Sequence, residues 1–239
     1  KKIKTNQKNA RIARYSLLEK FWERKKINAL LLAHHQDDVY ENFFIRMLRG
    51  SGIRGLTSFS SKETYINKNL KGYRPFLDIE KETLIKVTNK VFGYFIDDPS
   101  NSNNEFLRIR IRNLLSNLKN EGFGKEKFDL TYCNLHSANE TLKYYSDQNI
   151  LKNTNCFSNN KKDTIVINFE FFKQPIEIVL RSLSSLISKT NKKYYLPRGK
   201  IMIKKINEMR GNSFKKTTVG GCIIERVNNT TLIYPENTK

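Results

Sequence analysis

Apolar side chains recur at close to helical spacing over residues 11–26, at Ile12, Tyr15, Leu18, Phe21 and Trp22. This predicts an amphipathic helix that carries Arg11 and Arg14 on another face. Residues 27–33 follow as a short, nearly unbroken apolar run, the pattern of a parallel strand buried on both faces. The run stops at His34-His35-Gln36-Asp37-Asp38. Val39, Phe43 and Met47, with Phe44 and Leu48, then make a second helical stripe that ends at Gly50-Ser51-Gly52. Helix, buried strand and helix in succession predict an α/β sheet with polar residues gathered at a strand's carboxyl end. Residues 57–74 are polar, which predicts a loop or an edge hairpin around Tyr65, Ile66 and Leu70. A helix over 79–91, with Leu84, Val87 and Val91 on one side, leads through Gly93 into strand-like Tyr94-Phe95-Ile96 and a break at Asp97-Asp98-Pro99-Ser100-Asn101.

Phe106-Leu107-Arg108-Ile109-Arg110-Ile111-Arg112 alternates apolar and cationic residues, which taken alone fits a half-buried strand with its arginines pointing one way. Leu114, Leu115 and Leu118 continue it as a helix. A boundary is expected at Asn120-Glu121-Gly122-Phe123-Gly124, then a helix through Phe128, Tyr132, Leu135, Leu142 and Tyr145 to about residue 150. Residues 153–162 read as a polar linker, 164–169 as a strand, and Pro175 opens a helix with Val179, Leu180, Leu183, Leu186 and Ile187. The last stretch pairs a helix over 200–209 with β runs at Cys222-Ile223-Ile224 and Leu232-Ile233-Tyr234, joined through Asn228-Asn229.

Charge changes the picture more than composition does. With 44 Lys+Arg against 23 Asp+Glu, the 239-residue chain carries +21, which draws in a polyanion and makes nucleic acid the natural partner. The plainer reading is AT-rich coding bias, with part of the excess as solvated decoration. Three cysteines without paired spacing fit a reducing compartment, and neither a membrane span nor a signal stretch is visible, so the sequence reads as a cytosolic protein.

His34, Asp38 and Glu41 lie at i, i+4 and i+7, so a helix starting near Asp37 puts them on one side at the sheet's carboxyl edge, where open α/β sheets bind ligands. Two carboxylates and an imidazole can hold a cationic substrate, take a proton from its amine or bind a metal, and these roles stay open. Asp37 and Asp38 serve equally as helix caps, and His35 as a satisfied core histidine. Arg11 and Arg14, or Arg46 and Arg49 beside Gly50-Ser51-Gly52, offer phosphate-binding groups or a solvated face.

Ala10-Arg11-Ile12-Ala13-Arg14-Tyr15, Ala33-His34-His35-Gln36-Asp37-Asp38-Val39-Tyr40-Glu41-Asn42 and Arg49-Gly50-Ser51-Gly52 resemble the ARxxRY, AHHxDDxxE and RGSG segments of bacterial tRNA(Ile)-lysidine synthetases, in order and spacing. Tyr73-Arg74-Pro75-Phe76, Asp98-Pro99-Ser100-Asn101, the Arg108 to Arg112 run and Thr218-Val219-Gly220-Gly221-Cys222 extend the similarity over nearly the whole chain. The resemblance implies a parallel-sheet, Rossmann-like PP-loop ATP pyrophosphatase domain that adenylates the wobble cytidine of tRNA(Ile) with a CAU anticodon. Free lysine then attacks, AMP leaves and lysidine remains. By motif position Arg14 and His34 would lie near ATP, His34 at the adenylation site. Asp38 and Glu41 would hold lysine's amino groups, and Arg108 and Arg112 would contact nucleotide or tRNA. ATP and Mg²⁺ are the implied cofactors, with no protein-held metal; a homodimer stays open.

The expected domains are the remainder of the catalytic domain over 1–120, a mainly helical tRNA-binding domain over 121–192 and the start of a small α+β region over 193–239. The family's SGGxDS phosphate loop does not occur in these residues, so a truncated chain, inactive by itself, is expected. Asn42 stands where the family has Thr and Ile109 where it has Asn. Rival readings are a PP-loop tRNA-thiolation enzyme, a metal-dependent phosphohydrolase using His34, His35, Asp37 and Asp38, and a non-catalytic RNA-binding remnant.

Overall fold

The structure, a computed structural model, describes residues 7–27, 29–59, 61–65, 71–96, 104–159, 162–191 and 199–236. The chain divides into two compact units, Lys1–Cys133 and Asn134–Lys239. It is an α/β protein: helices around a small mixed sheet come first, a helical middle follows, and an antiparallel sheet closes the chain.

The first unit opens with α1 (Gln7–Lys25) and the short strand β1 (Ala29–Leu31). Helix α2 (Gln36–Leu48), α3 (Ile53–Leu56), strands β2 (Glu63–Tyr65) and β3 (Lys71–Tyr73), α4 (Lys81–Phe92) and α5 (Leu107–Asn120) follow. The three strands make one sheet in the order β1-β3-β2, with β1 parallel and β2 antiparallel to β3. The edge hairpin expected around Tyr65 is therefore present, while Ile66 and Leu70 lie outside the described residues. Pairing of β1 with β3 runs on through Leu32 N–H donating to Tyr73 O at 2.7 Å and a parallel bridge between His35 and Phe76, which holds the start of α2 against the segment leading into α4.

Several expectations need correcting here. Among the described residues β1 pairs only with β3, and Leu31 is 72% exposed, so the strand is not buried on both faces. The stripe on α1 is likewise open, with Ile12 and Phe21 exposed. Tyr94, Phe95 and Ile96 pair with no described strand and are exposed. Residues 107–112 are helical, the first turns of α5, because their apolar residues continue in helical register with Leu114, Leu115 and Leu118. In a helix Arg108 and Arg112 share a face, whereas Arg110 turns away and donates to the carbonyls of Asn104 and Glu105 at 3.1 and 2.9 Å. The expectation that all three arginines point one way thus fails.

Beneath α2, Val39, Phe43 and Phe44 are buried against Phe128 and Tyr132 on the first turns of α6 (Lys125–Asn153). Phe43 and Phe128 meet edge to face at 5.2 Å and Phe128 stacks on Tyr132 at 5.7 Å, geometries that add to simple area burial.

The second unit holds the rest of α6, β4 (Thr154–Asn159), β5 (Lys162–Asn168), α7 (Glu170–Lys173), α8 (Ile176–Asn191), α9 (Gly199–Arg210), β6 (Lys216–Val219), β7 (Cys222–Val227) and β8 (Thr230–Pro235). Its five strands form an antiparallel sheet in the order β4-β5-β8-β7-β6. Alternate residues Ile165, Ile167, Ile224 and Ile233 point inward against Val179, Leu183 and Leu186 of α8 and Met202, Ile206 and Met209 of α9. The supposed linker at 153–162 is mostly strand β4: Asn155, Cys156 and Phe157 are exposed, as suits an edge whose backbone is satisfied by β5. Because β5 also pairs with β8, residues 121–192 and 193–239 share one sheet, and the compact units break at 133/134 rather than at the two expected positions. Among the described residues no helix is long and apolar enough to cross a membrane.

Candidate active site

Helix α2 begins one residue after His35, whose extended backbone (φ −123°) makes it the N-cap. A capping box closes around it: His35 N–H donates to Asp38 Oδ2 at 3.1 Å. The cap fixes which face Asp38 and Glu41, three residues apart, present together. His34 precedes the cap and so is not on the helix, contrary to the i, i+4, i+7 expectation; its ring meets Phe59 edge-on at 5.2 Å.

Across from that face stand Arg108 and Arg112 of α5, one turn apart. Arg112 Nε donates to Glu41 Oε1 at 2.5 Å, the tightest contact of the group. Arg108 is looser, with Nε 3.4 Å from Glu41 Oε2 and Nη1 3.7 Å from Asp38 Oδ1. The carboxylates are deeply placed, at 7% exposure for Asp38 and 1% for Glu41, while the Arg108 side chain is 44% exposed. Burial pushes the Glu41 carboxyl above the usual carboxylate range, and the charges of Arg112 and Arg108 pull it partly back. Glu41 Oε2 accepts no hydrogen bond among the described residues.

A supporting layer holds this quartet. His35 lies between two acids, Nδ1 3.4 Å from Asp37 Oδ2 and Nε2 3.5 Å from Asp38 Oδ2. The adjacent Asp37 carboxylate raises the imidazole pKa above the ordinary value despite burial, and the same contact lowers that of Asp37. Asp37 Oδ2 also accepts the Lys81 backbone N–H at 2.9 Å and so ties the start of α4 to α2. On the far side Tyr40 Oη donates to Asp129 Oδ1 at 3.1 Å, and burial, then the Asp129 charge, pushes the phenol up. Between α2, α4 and α5 opens a cleft of about 370 Å³ that Asp37, Glu41, Glu82 and Arg112 line together with Ile85 and Leu115. Charges of both signs beside an aliphatic wall suit a zwitterion with a methylene chain.

Of the residues singled out in the sequence, the fold brings Asp38, Glu41, Arg108 and Arg112 together. Arg14 lies exposed on α1 with its guanidinium 5.7 Å from the Tyr15 ring, and neither it nor His34 belongs to the ion-paired quartet. The Arg11 side chain and Asp98-Pro99-Ser100-Asn101 fall outside the described residues. Arg74 is buried with its guanidinium 4.3 Å over the Phe59 ring. The roles of His35 and Asp37 in tying α2 to α4 were missed as site features, and the Asp129 partnership spans 89 residues with no local signal.

The site lies at the exit of a strand in an α/β sheet, and the chain around it is similar in sequence to known proteins. Residues 1–119 match the PP-loop domain family. The tRNA(Ile)-lysidine synthase of Wolbachia pipientis is 32% identical over 99% of this chain, and that of Rickettsia typhi 31% over 96%. The Orientia tsutsugamushi tRNA(Ile)-lysidine synthase is 41% identical over 47% of the chain. The chain therefore belongs to the tRNA(Ile)-lysidine synthase family of PP-loop proteins. It spans about half the length of the curated relatives it matches, 54% for the Wolbachia protein.

Proposed function

We propose that this chain forms part of a tRNA(Ile)-lysidine synthetase, an ATP-dependent carbon–nitrogen ligase that joins free lysine to C2 of the wobble cytidine in the CAU anticodon. The observation that carries this reading is the Asp38–Glu41 pair, buried and aimed at one place, beside a cleft with an aliphatic wall. An ammonium group is what two such carboxylates receive best. Asp38 and Glu41 orient the amine, and Glu41 Oε2, which accepts no hydrogen bond among the described residues and belongs to a carboxyl made more basic by burial, takes the proton as the nitrogen attacks. Arg112 keeps Glu41 ionised until then.

When bound, ATP supplies the adenylyl group that makes the cytidine C2 oxygen a leaving group. Arg14 and His34 are the residues that motif position assigns to it. Among the described residues no three His, Cys, Asp or Glu side chains gather to hold a metal ion, so no step is assigned to Mg²⁺. The +21 charge supports tRNA as the partner. The test is incorporation of labelled lysine into tRNA(Ile) by the protein expressed from its full reading frame. ATP-dependent incorporation confined to the CAU anticodon is expected. ATP-dependent sulfur transfer without lysine incorporation would refute the assignment.

A further inference from the structure

The two arginines that face the carboxylates are not equivalent. Arg112 makes a short, directed hydrogen bond to Glu41 Oε1. Arg108 reaches both acids at 3.4 and 3.7 Å but donates no hydrogen bond among the described residues, and its side chain is 44% exposed. One cation is locked in place while the other is half exposed and held only at ion-pair distance. Beneath Arg108 lies Glu41 Oε2, an oxygen of a 1% exposed residue that accepts no hydrogen bond among the described residues. A buried carboxylate oxygen left in that condition is costly, and any small cation able to donate to it gains more there than a guanidinium held at ion-pair distance.

We propose that Arg108 is a placeholder cation, which the substrate ammonium displaces from Asp38 Oδ1 and Glu41 Oε2 while Arg112 remains as the fixed counter-ion. This rests on the reading that the carboxylate pair receives lysine's ammonium. The exchange conserves charge: one positive group leaves the acids as another arrives, so the buried pair is never left with uncompensated charge. The released guanidinium, on a long half-exposed side chain, becomes available to an anion beside the carboxylates. Amine binding and phosphate binding are thereby coupled, each favouring the other, as linkage requires.

Calorimetric titration of the protein expressed from its full reading frame with L-lysine, and separately with cadaverine, a diamine without a carboxylate, at one ionic strength tests this. If Arg108 competes with the amine, Arg108→Gln binds both ligands about five- to tenfold more tightly, since the competing state is removed. Arg110→Gln removes the same charge from the same helix without touching the acids and is expected to change either affinity by less than about twofold. Weaker L-lysine binding in Arg108→Gln with cadaverine unchanged would show that Arg108 holds the substrate carboxylate and would overturn the proposal. Unchanged binding of both, or an equal gain in Arg110→Gln, would overturn it as well. Absence of lysine binding in the parent full-frame protein and in both variants would instead remove the lysine reading itself.

Discussion

Glu41 is 1% exposed, and a negative charge so placed persists only where a partner offsets its lost hydration. Arg112 is that partner, which sets a sharp expectation for Arg112→Met. Loss of the guanidinium leaves the carboxylate uncompensated and should destabilise the first unit by about 3 kcal/mol in urea unfolding, with Glu41→Gln in the same molecule recovering much of it. An unchanged unfolding midpoint in the single variant would contradict the pairing. The titrating groups have definite signs. His35 has a raised pKa, so its contribution is present below 6.5 and is lost as pH rises through the higher folded value. Asp37 has a lowered one, so its contribution is present above 3.8 and is lost as pH falls through the folded value below that. Stability should therefore decline from mildly acidic to mildly alkaline pH by at most about 1 kcal/mol, and His35→Asn should flatten that decline. At this scale the sequence showed Asp38 and Glu41 plainly, because they are neighbours on one helix face. It could not show that Arg112, 71 residues further on, is spoken for by Glu41 rather than free for an RNA phosphate.

At the scale of elements, the caps decide where side chains point. Helix α2 starts at Gln36, one residue before the expected Asp37, and its N-cap is His35, so His34 stays outside the helix. Helix α4 ends at Gly93 with φ +78°, a conformation that costs a side-chain-bearing residue, while open space surrounds the position where a Cβ would sit. Gly93→Ala should consequently lose about 1 kcal/mol through backbone strain alone, measurable as a lower thermal midpoint. In the second unit Leu183 is fully buried in α8, and Leu183→Ala is expected to cost about 2–5 kcal/mol by denaturant titration. Helices with a clear apolar stripe were legible in the sequence. Strand β4 was not, since an exposed edge strand needs only backbone partners and its Asn and Ser residues look like a linker. The alternation at residues 106–112 misled for the opposite reason: a helix buried on more than one side can place Ile109 and Ile111 inside while its arginines leave by different faces.

For the whole molecule, +21 on 239 residues would make association with the proposed tRNA partner an electrostatic event. Binding of tRNA(Ile), followed by filter retention across a salt series, should weaken linearly in log–log form as counter-ions are released, and a flat response would argue against a phosphate-tracking surface. The order of the five-stranded sheet joins segments more than sixty residues apart in sequence, Ile165 with Ile233 among them, and no local pattern announces such pairing. The central claim, that Asp38 and Glu41 receive the amine of lysine, is tested most directly by steady-state lysine incorporation into tRNA(Ile) with the protein in its full reading frame. Asp38→Asn and Glu41→Gln should each raise the KM for lysine by at least about tenfold, the loss of a charge-assisted hydrogen bond, and leave the KM for ATP within about twofold. A KM for lysine that stays at the parent value while that for ATP rises would contradict the account.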